Sequence, residues 1–259
     1  MFDTHAHIDD EKFNDDRAEV IAGFKAGGVD CIVDVGANLE TSRMAVELAR
    51  ENGRIYASVG VHPCDVEGLG DDDLAELERL ARECDKVVAI GEIGLDYHYI
   101  EADDAKAREL QKEWFKRQIM LAKRLGLPMI IHDREAHEDV LEIVDECGYY
   151  NGIMHCFSGD ADLARKVVAR GFYVAFGGVL TYKNAPYLRE ALAVVPNDRL
   201  LTETDCPYLA PDGYRGQRNE PKFMHKVLEK MAEVKRVSVA EIEAMTVENA
   251  RRVYGIKGE

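Results

Sequence analysis

Short apolar runs alternate with amphipathic segments along nearly the whole chain. The runs fall at 31–35, 55–61, 87–93, 129–131, 152–154, 172–176 and 200–202, with a first one beginning at Phe2. They read as continuous apolar stretches rather than strict alternations, the pattern of parallel strands buried on both faces. The intervening segments space their apolar residues at helical intervals. In 15–26, Ala18, Ile21, Ala22 and Ala26 stand among charged neighbours. The same spacing predicts helices over 39–51, 72–84, 105–125, 136–147, 161–170 and 185–194, and two closing helices over 220–235 and 239–253. Gly27, Gly126, Gly148 and Gly171 stand near predicted helix ends, where glycine suits the left-handed cap. Ser238 is the expected N-cap of the last helix.

Strand–helix alternation repeated about eight times predicts an α/β fold of the (β/α)8 TIM-barrel type. A doubly wound open sheet is the alternative, but no Gly-rich phosphate loop follows the first strand. At 259 residues the chain has the length of one barrel, so a single domain over 1–259 is expected.

Polar residues are placed in a way that simple solvation does not explain. The first strand leads into His5-Ala6-His7, the third into His62, the fifth into His132-Asp133-Arg134, the sixth into His155 and the eighth into Glu203-Thr204-Asp205; the fourth contains Glu92. In a parallel barrel the strand C-termini share one face, where active sites are built. His5 and His7, two apart on a strand, point the same way and can chelate one cation. Taken singly, a strand-end histidine is more often a structural hydrogen-bonding group than a ligand, and a lone carboxylate there reads as the N-cap of the next helix. Together, His5, His7, Glu92, His132, His155 and Asp205 point to a divalent ion: Zn, Mn, Mg or Fe. The supply exceeds one catalytic site, so two ions with Glu92 as bridge are expected. His98, His137 and His225 fall in a loop and in helices and are set aside.

Charge narrows the partners. The net charge is −16, from 33 Lys+Arg against 49 Asp+Glu. Such a chain is a poor candidate for holding long duplex DNA by counterion release, although metal ions can supply positive charge locally to a phosphodiester. The six cysteines form no C-x-x-C pair, which favours reduced thiols. With no signal-like N-terminus and no membrane-length apolar run, a cytoplasmic protein is expected, with no membrane and no obligate protein partner.

The strand-end motifs are Asp3-Thr4-His5-Ala6-His7, Gly60-Val61-His62-Pro63, Gly91-Glu92-Ile93-Gly94-Leu95-Asp96, Ile131-His132-Asp133-Arg134, His155-Cys156-Phe157-Ser158-Gly159 and Glu203-Thr204-Asp205-Cys206-Pro207, followed by the loop Arg215-Gly216-Gln217-Arg218-Asn219-Glu220-Pro221. In order and spacing, over essentially the whole chain, they resemble the TatD family of metal-dependent deoxyribonucleases. Cys64 and Gln217 depart from the family pattern at positions beside the motifs. The resemblance implies that His5, His7, Glu92 and Asp205 hold one ion, and Glu92, His132 and His155 the other. It implies 3′–5′ exonuclease hydrolysis of DNA, with RNA cleaved by some members, by a metal-activated water. Asp205 and Glu92 are then the catalytic carboxylates. Asp205 orients the water and accepts its proton, with Glu203 either a supporting partner or a structural ion-pair member. His62, Arg134, Tyr182, Arg215 and Arg218 are the expected substrate contacts, and Tyr97 and Tyr99 are candidates for stacking on a base. The rival reading is hydrolysis of an ester or amide, such as a D-aminoacyl-tRNA, because barrel and ligands suit carbon as well as phosphorus. A non-enzymatic metal-binding scaffold is a third reading.

Overall fold

The computed structural model describes residues 1–101 and 103–257. Eight strands alternate with helices and follow one another in sequential order in one sheet, the arrangement of a (β/α)8 TIM-type barrel. The chain packs as two compact units, Met1–Asp34 with Cys156–Glu259, and Val35–His155.

The first unit is built on β1 (Phe2–Ala6), β2 (Cys31–Val35, all but its last residue), β7 (Tyr173–Phe176) and β8 (Leu200–Thr202). β1 pairs in parallel with β2 and β7 with β8. The β1–β2 register shifts between Asp3 and Ala6, just where the histidines begin. Around these strands lie α1 (Arg17–Ala22), α6 (Ala161–Ala169), α7 (Pro186–Val194), α8 (Met224–Lys235) and α9 (Val239–Val253). Phe2, Ile8, Phe13, Ile32, Phe172 and Phe176 are fully buried here. α9 begins with the capping box expected of Ser238: its hydroxyl accepts from Glu241 N while Glu241 Oε2 accepts from Ser238 N. Near its other end the Tyr254 hydroxyl donates to Thr4 O at 2.7 Å, tying the last helix to the first strand.

The second unit carries β3 (Ile55–Val59), β4 (Val87–Asp96), β5 (Met129–Arg134) and β6 (Gly152–Met154), paired in order and in parallel. Its helices are α2 (Leu39–Glu51), α3 (Asp71–Glu83), α4 (Ala105–Leu125) and α5 (His137–Cys147). Ile55, Leu77, Ile90, Ile93, Trp114 and Phe115 form its core. The left-handed caps expected at Gly126 and Gly148 are present, at φ 70° and 57°.

Three expectations shift. β4 runs on past Ile93 to Asp96, and β5 past Ile131 to Arg134, because Gly94, Leu95 and Asp96 pair with His132, Asp133 and Arg134. Gly94 permits this approach: at φ 142°, a Cβ there would lie 2.0 Å from His132 O. The first helix is shorter than 15–26, since Asp16 stands at its N-cap and Gly23 at its C-cap. The helix expected over 220–235 likewise splits into a 3-10 turn, Pro221–Phe223, and α8. Among the described residues no helix is long and apolar enough to cross a membrane.

Candidate metal centre

Each unit gathers its own histidines and carboxylates at the C-terminal ends of its strands. In the first unit, His5 near the end of β1 and His7 just beyond it bring their Nε2 atoms to 3.1 Å. Asp205 Oδ1 lies 3.7 Å from His5 Nε2 and 3.5 Å from His7 Nε2. The backbone sets this convergence: Asp205 N donates to His5 O at 2.9 Å and His7 N to Cys206 O at 2.8 Å. Asp205 sits in the left-handed region at φ 57°, a conformation few non-glycine residues adopt outside functional sites. Asp3, fully buried, holds the same turn from below by accepting from Thr204 N at 2.9 Å and Thr204 Oγ1 at 2.5 Å. Burial pushes its carboxyl up to about 7 against those hydrogen bonds.

Beside this cluster Asp34 on β2 accepts from Ile8 N at 2.6 Å. Burial and the neighbouring Asp9 raise Asp34 well above the ordinary carboxylate range. Glu203, fully buried, accepts from Cys156 N at 2.5 Å and so pins the backbone immediately after His155.

In the second unit Glu92 is the hub. Its Oε1 lies 2.7 Å from His155 Nε2, 2.8 Å from His132 Nδ1 and 3.8 Å from His62 Nε2. His132 Nδ1 is 3.3 Å from His155 Nε2, while His132 Nε2 meets Asp96 Oδ2 at 3.1 Å. Burial pulls the His132 imidazole down, but hydrogen bonds from Asp96 and Glu92 carry it up to about 9. Burial holds the His62 ring down at about 4.

Both donor sets suit a divalent ion. Two imidazoles and a carboxylate face one point in the first unit, and three imidazoles surround one carboxylate oxygen in the second. Glu92 and His155 are each about 5% exposed and His5 not at all, so their polar atoms need strong compensation.

The expected substrate contacts divide. His62 stands inside the second cluster, its ring centroid 4.4 Å from that of His132 and its Nδ1 accepting from Cys64 N. Arg134 lies over the Tyr99 ring and donates to its hydroxyl at 3.2 Å. Tyr182 donates to Ala210 O at 2.8 Å, with the Arg215 guanidinium stacked 4.5 Å over its ring. Arg218 is engaged elsewhere: it grips Asp16 at 2.7 and 2.6 Å, contacts Glu220 at 3.2 Å and covers Phe13. Tyr97 is similarly tied, donating to Asp139 at 2.6 Å beneath Arg108. Asp96 is the residue that sequence reasoning missed. Four residues beyond Glu92 on one strand, it shares that residue's face, and this even spacing was the available signal.

Comparison with known proteins agrees with this geometry. Residues 2–255 match the family described as TatD related DNase. The chain is 46% identical over 258 residues to an uncharacterized metal-dependent hydrolase, YabD, of Bacillus subtilis (strain 168), covering 99% of each chain. It is 37% identical over 261 residues to the 3′-5′ ssDNA/RNA exonuclease TatD of Cronobacter sakazakii, covering 98% of this chain and 97% of that one. The crystal structure of the TatD homolog YJJV from Escherichia coli K12 superposes with a TM-score of 0.92 at 32% identity, over 99% of this chain and 98% of that one. With a match over nearly its full length and clustered metal-competent side chains at its strand ends, the chain belongs to the TatD family of metal-dependent hydrolases.

Proposed function

We propose that this protein is a two-metal 3′–5′ exonuclease acting on single-stranded DNA, and on RNA as a second substrate. The observation that carries the reading is the convergence of His5, His7 and Asp205 in one unit and of Glu92, His132 and His155 in the other. The family resemblance supplies the division of ligands. By that resemblance His5, His7, Glu92 and Asp205 would hold one ion, and Glu92, His132 and His155 the second. The name of the Cronobacter relative supports the substrate class. The absence of disulfides among the described residues fits a cytoplasmic setting.

Bound divalent ions supply Lewis acidity, which lowers the pKa of water and offsets charge developing on the phosphoryl oxygens. The chain's own residues do the rest. Asp205, fixed by its bond to His5 O, presents a carboxylate that orients the attacking water and accepts its proton. Glu92 holds the imidazoles of His132 and His155 in place through one oxygen. Asp96 fixes the His132 ring from its far side, as carboxylates commonly do for ligating histidines. Arg134, beside the cluster on β5, is placed to meet a phosphate.

The test is digestion of a 3′-labelled single-stranded oligonucleotide by chelated protein reloaded with Mg, Mn or Zn. Metal-dependent release of mononucleotides is expected. Asp205→Asn should lose about 10²–10⁴ of the rate, the scale of a general base, while retaining its far-UV circular dichroism. His132→Ala should lose both activity and bound metal. No release by metal-loaded protein would overturn the nuclease reading and direct attention to ester and amide substrates.

A further inference from the structure

The second unit carries a cleft of about 460 Å³ beside the Glu92 cluster, within the size range of small-molecule sites. It opens next to the chemistry. Cys64, on its wall, places Sγ within 4.8 Å of ligand atoms of His62 and Asp96. Gln111, also on the wall, accepts from Asp96 N at 3.0 Å. From Asp96 the next contact is His132.

The lining selects for a flat, neutral ring. Pro63, Val66, Ile100 and Leu110 give apolar surface, and Tyr99 gives an aromatic one that is 71% exposed. Glu67 and Asp104 oppose one Lys106, so the cleft is not an anion site and disfavours phosphate inside it. Those carboxylates and the Gln111 amide are instead suited to exocyclic amino groups and ring edges. The cation for a phosphate stands at the rim. Arg134 lies 5.1 Å over the Tyr99 ring and is hydrogen-bonded to its hydroxyl. Tyr97, two residues earlier, is held by Asp139 and Arg108 away from the cleft lining, whereas Tyr99 stands in that lining with most of its ring exposed.

The geometry points to this cleft as a nucleobase subsite: Tyr99 stacks on a base of the substrate while Arg134 meets the adjoining phosphate. The proposal rests on the nuclease reading for its biological setting, but its binding test does not depend on turnover. Calorimetric titration of metal-loaded protein with dAMP and with 2-deoxyribose 5-phosphate, which lacks the base, separates the two. Wild-type protein is expected to bind dAMP about tenfold or more tightly, the scale of one base–aromatic stack. Tyr99→Ala should collapse that preference and Tyr99→Phe should keep it. Tyr150→Ala, at an exposed tyrosine of the same unit remote from the cleft lining, should leave it unchanged. Equal wild-type affinity for the two probes, or a preference that survives Tyr99→Ala, would overturn the subsite. A base preference in a protein that cleaves no oligonucleotide would sustain the subsite and sink the nuclease reading instead.

Discussion

Asp96 shows what a single side chain does here without being a ligand. Its carboxylate sits 3.1 Å from His132 Nε2, leaving Nδ1 turned toward Glu92 and His155. Replacing Asp96 with Asn keeps the size but removes the charge that orients the ring. Metal affinity is then expected to fall about 10–100-fold, read by competition with a coloured chelator. Unchanged affinity would reduce Asp96 to a structural role. The clustering of the candidate ligands was readable from sequence because strand-end position is a one-dimensional fact; His5, His7, Glu92, His132, His155 and Asp205 all stand at or near strand ends. The fate of Arg218 was not, since its partner Asp16 is remote in sequence and only the folded chain brings the pair to 2.6 Å. Nothing local to a Gly-rich loop tells whether its arginine meets solvent, substrate or a carboxylate.

At the level of elements, the strands and helices were legible in kind and order because buried parallel strands and amphipathic helices carry different periods. The misplaced ends have local causes. The extension of β4 and β5 depends on pairing between them and on the room at Gly94, neither of which periodicity reports. Two elements carry measurable consequences. Ser238→Ala removes the N-cap of α9 and should cost about 1 kcal/mol in urea denaturation; a cost near zero would mean that water replaces the cap. On β2, the raised carboxyl of Asp34 means that the folded chain keeps a proton which the unfolded chain loses near pH 3.8. Stability therefore falls as pH rises above that value and on through the folded pKa. Asp34→Asn abolishes this term. The variant should gain on wild type as pH rises above 3.8, and a stability gap that stays constant as pH rises would contradict the assignment.

A net charge of −16 disfavours broad electrostatic capture of nucleic acid, and the proposed contacts with substrate are correspondingly local: a metal cluster, Arg134 and a partly apolar cleft. The division of the chain has a temporal meaning as well. The second unit is one continuous stretch, Val35–His155, whereas the first is assembled from both sides of it. On the ribosome, Glu92, His132 and His155 have all been synthesised before Asp205 exists, and Tyr254 must emerge before it can latch α9 to Thr4. Nascent chains stalled within α9 should then show protease resistance in 35–155 before 1–34 is protected. Simultaneous protection of both would indicate a single cooperative event. Sequential protection would make cofactor loading vectorial, with the Glu92, His132 and His155 cluster open to ions before Asp205 has joined His5 and His7.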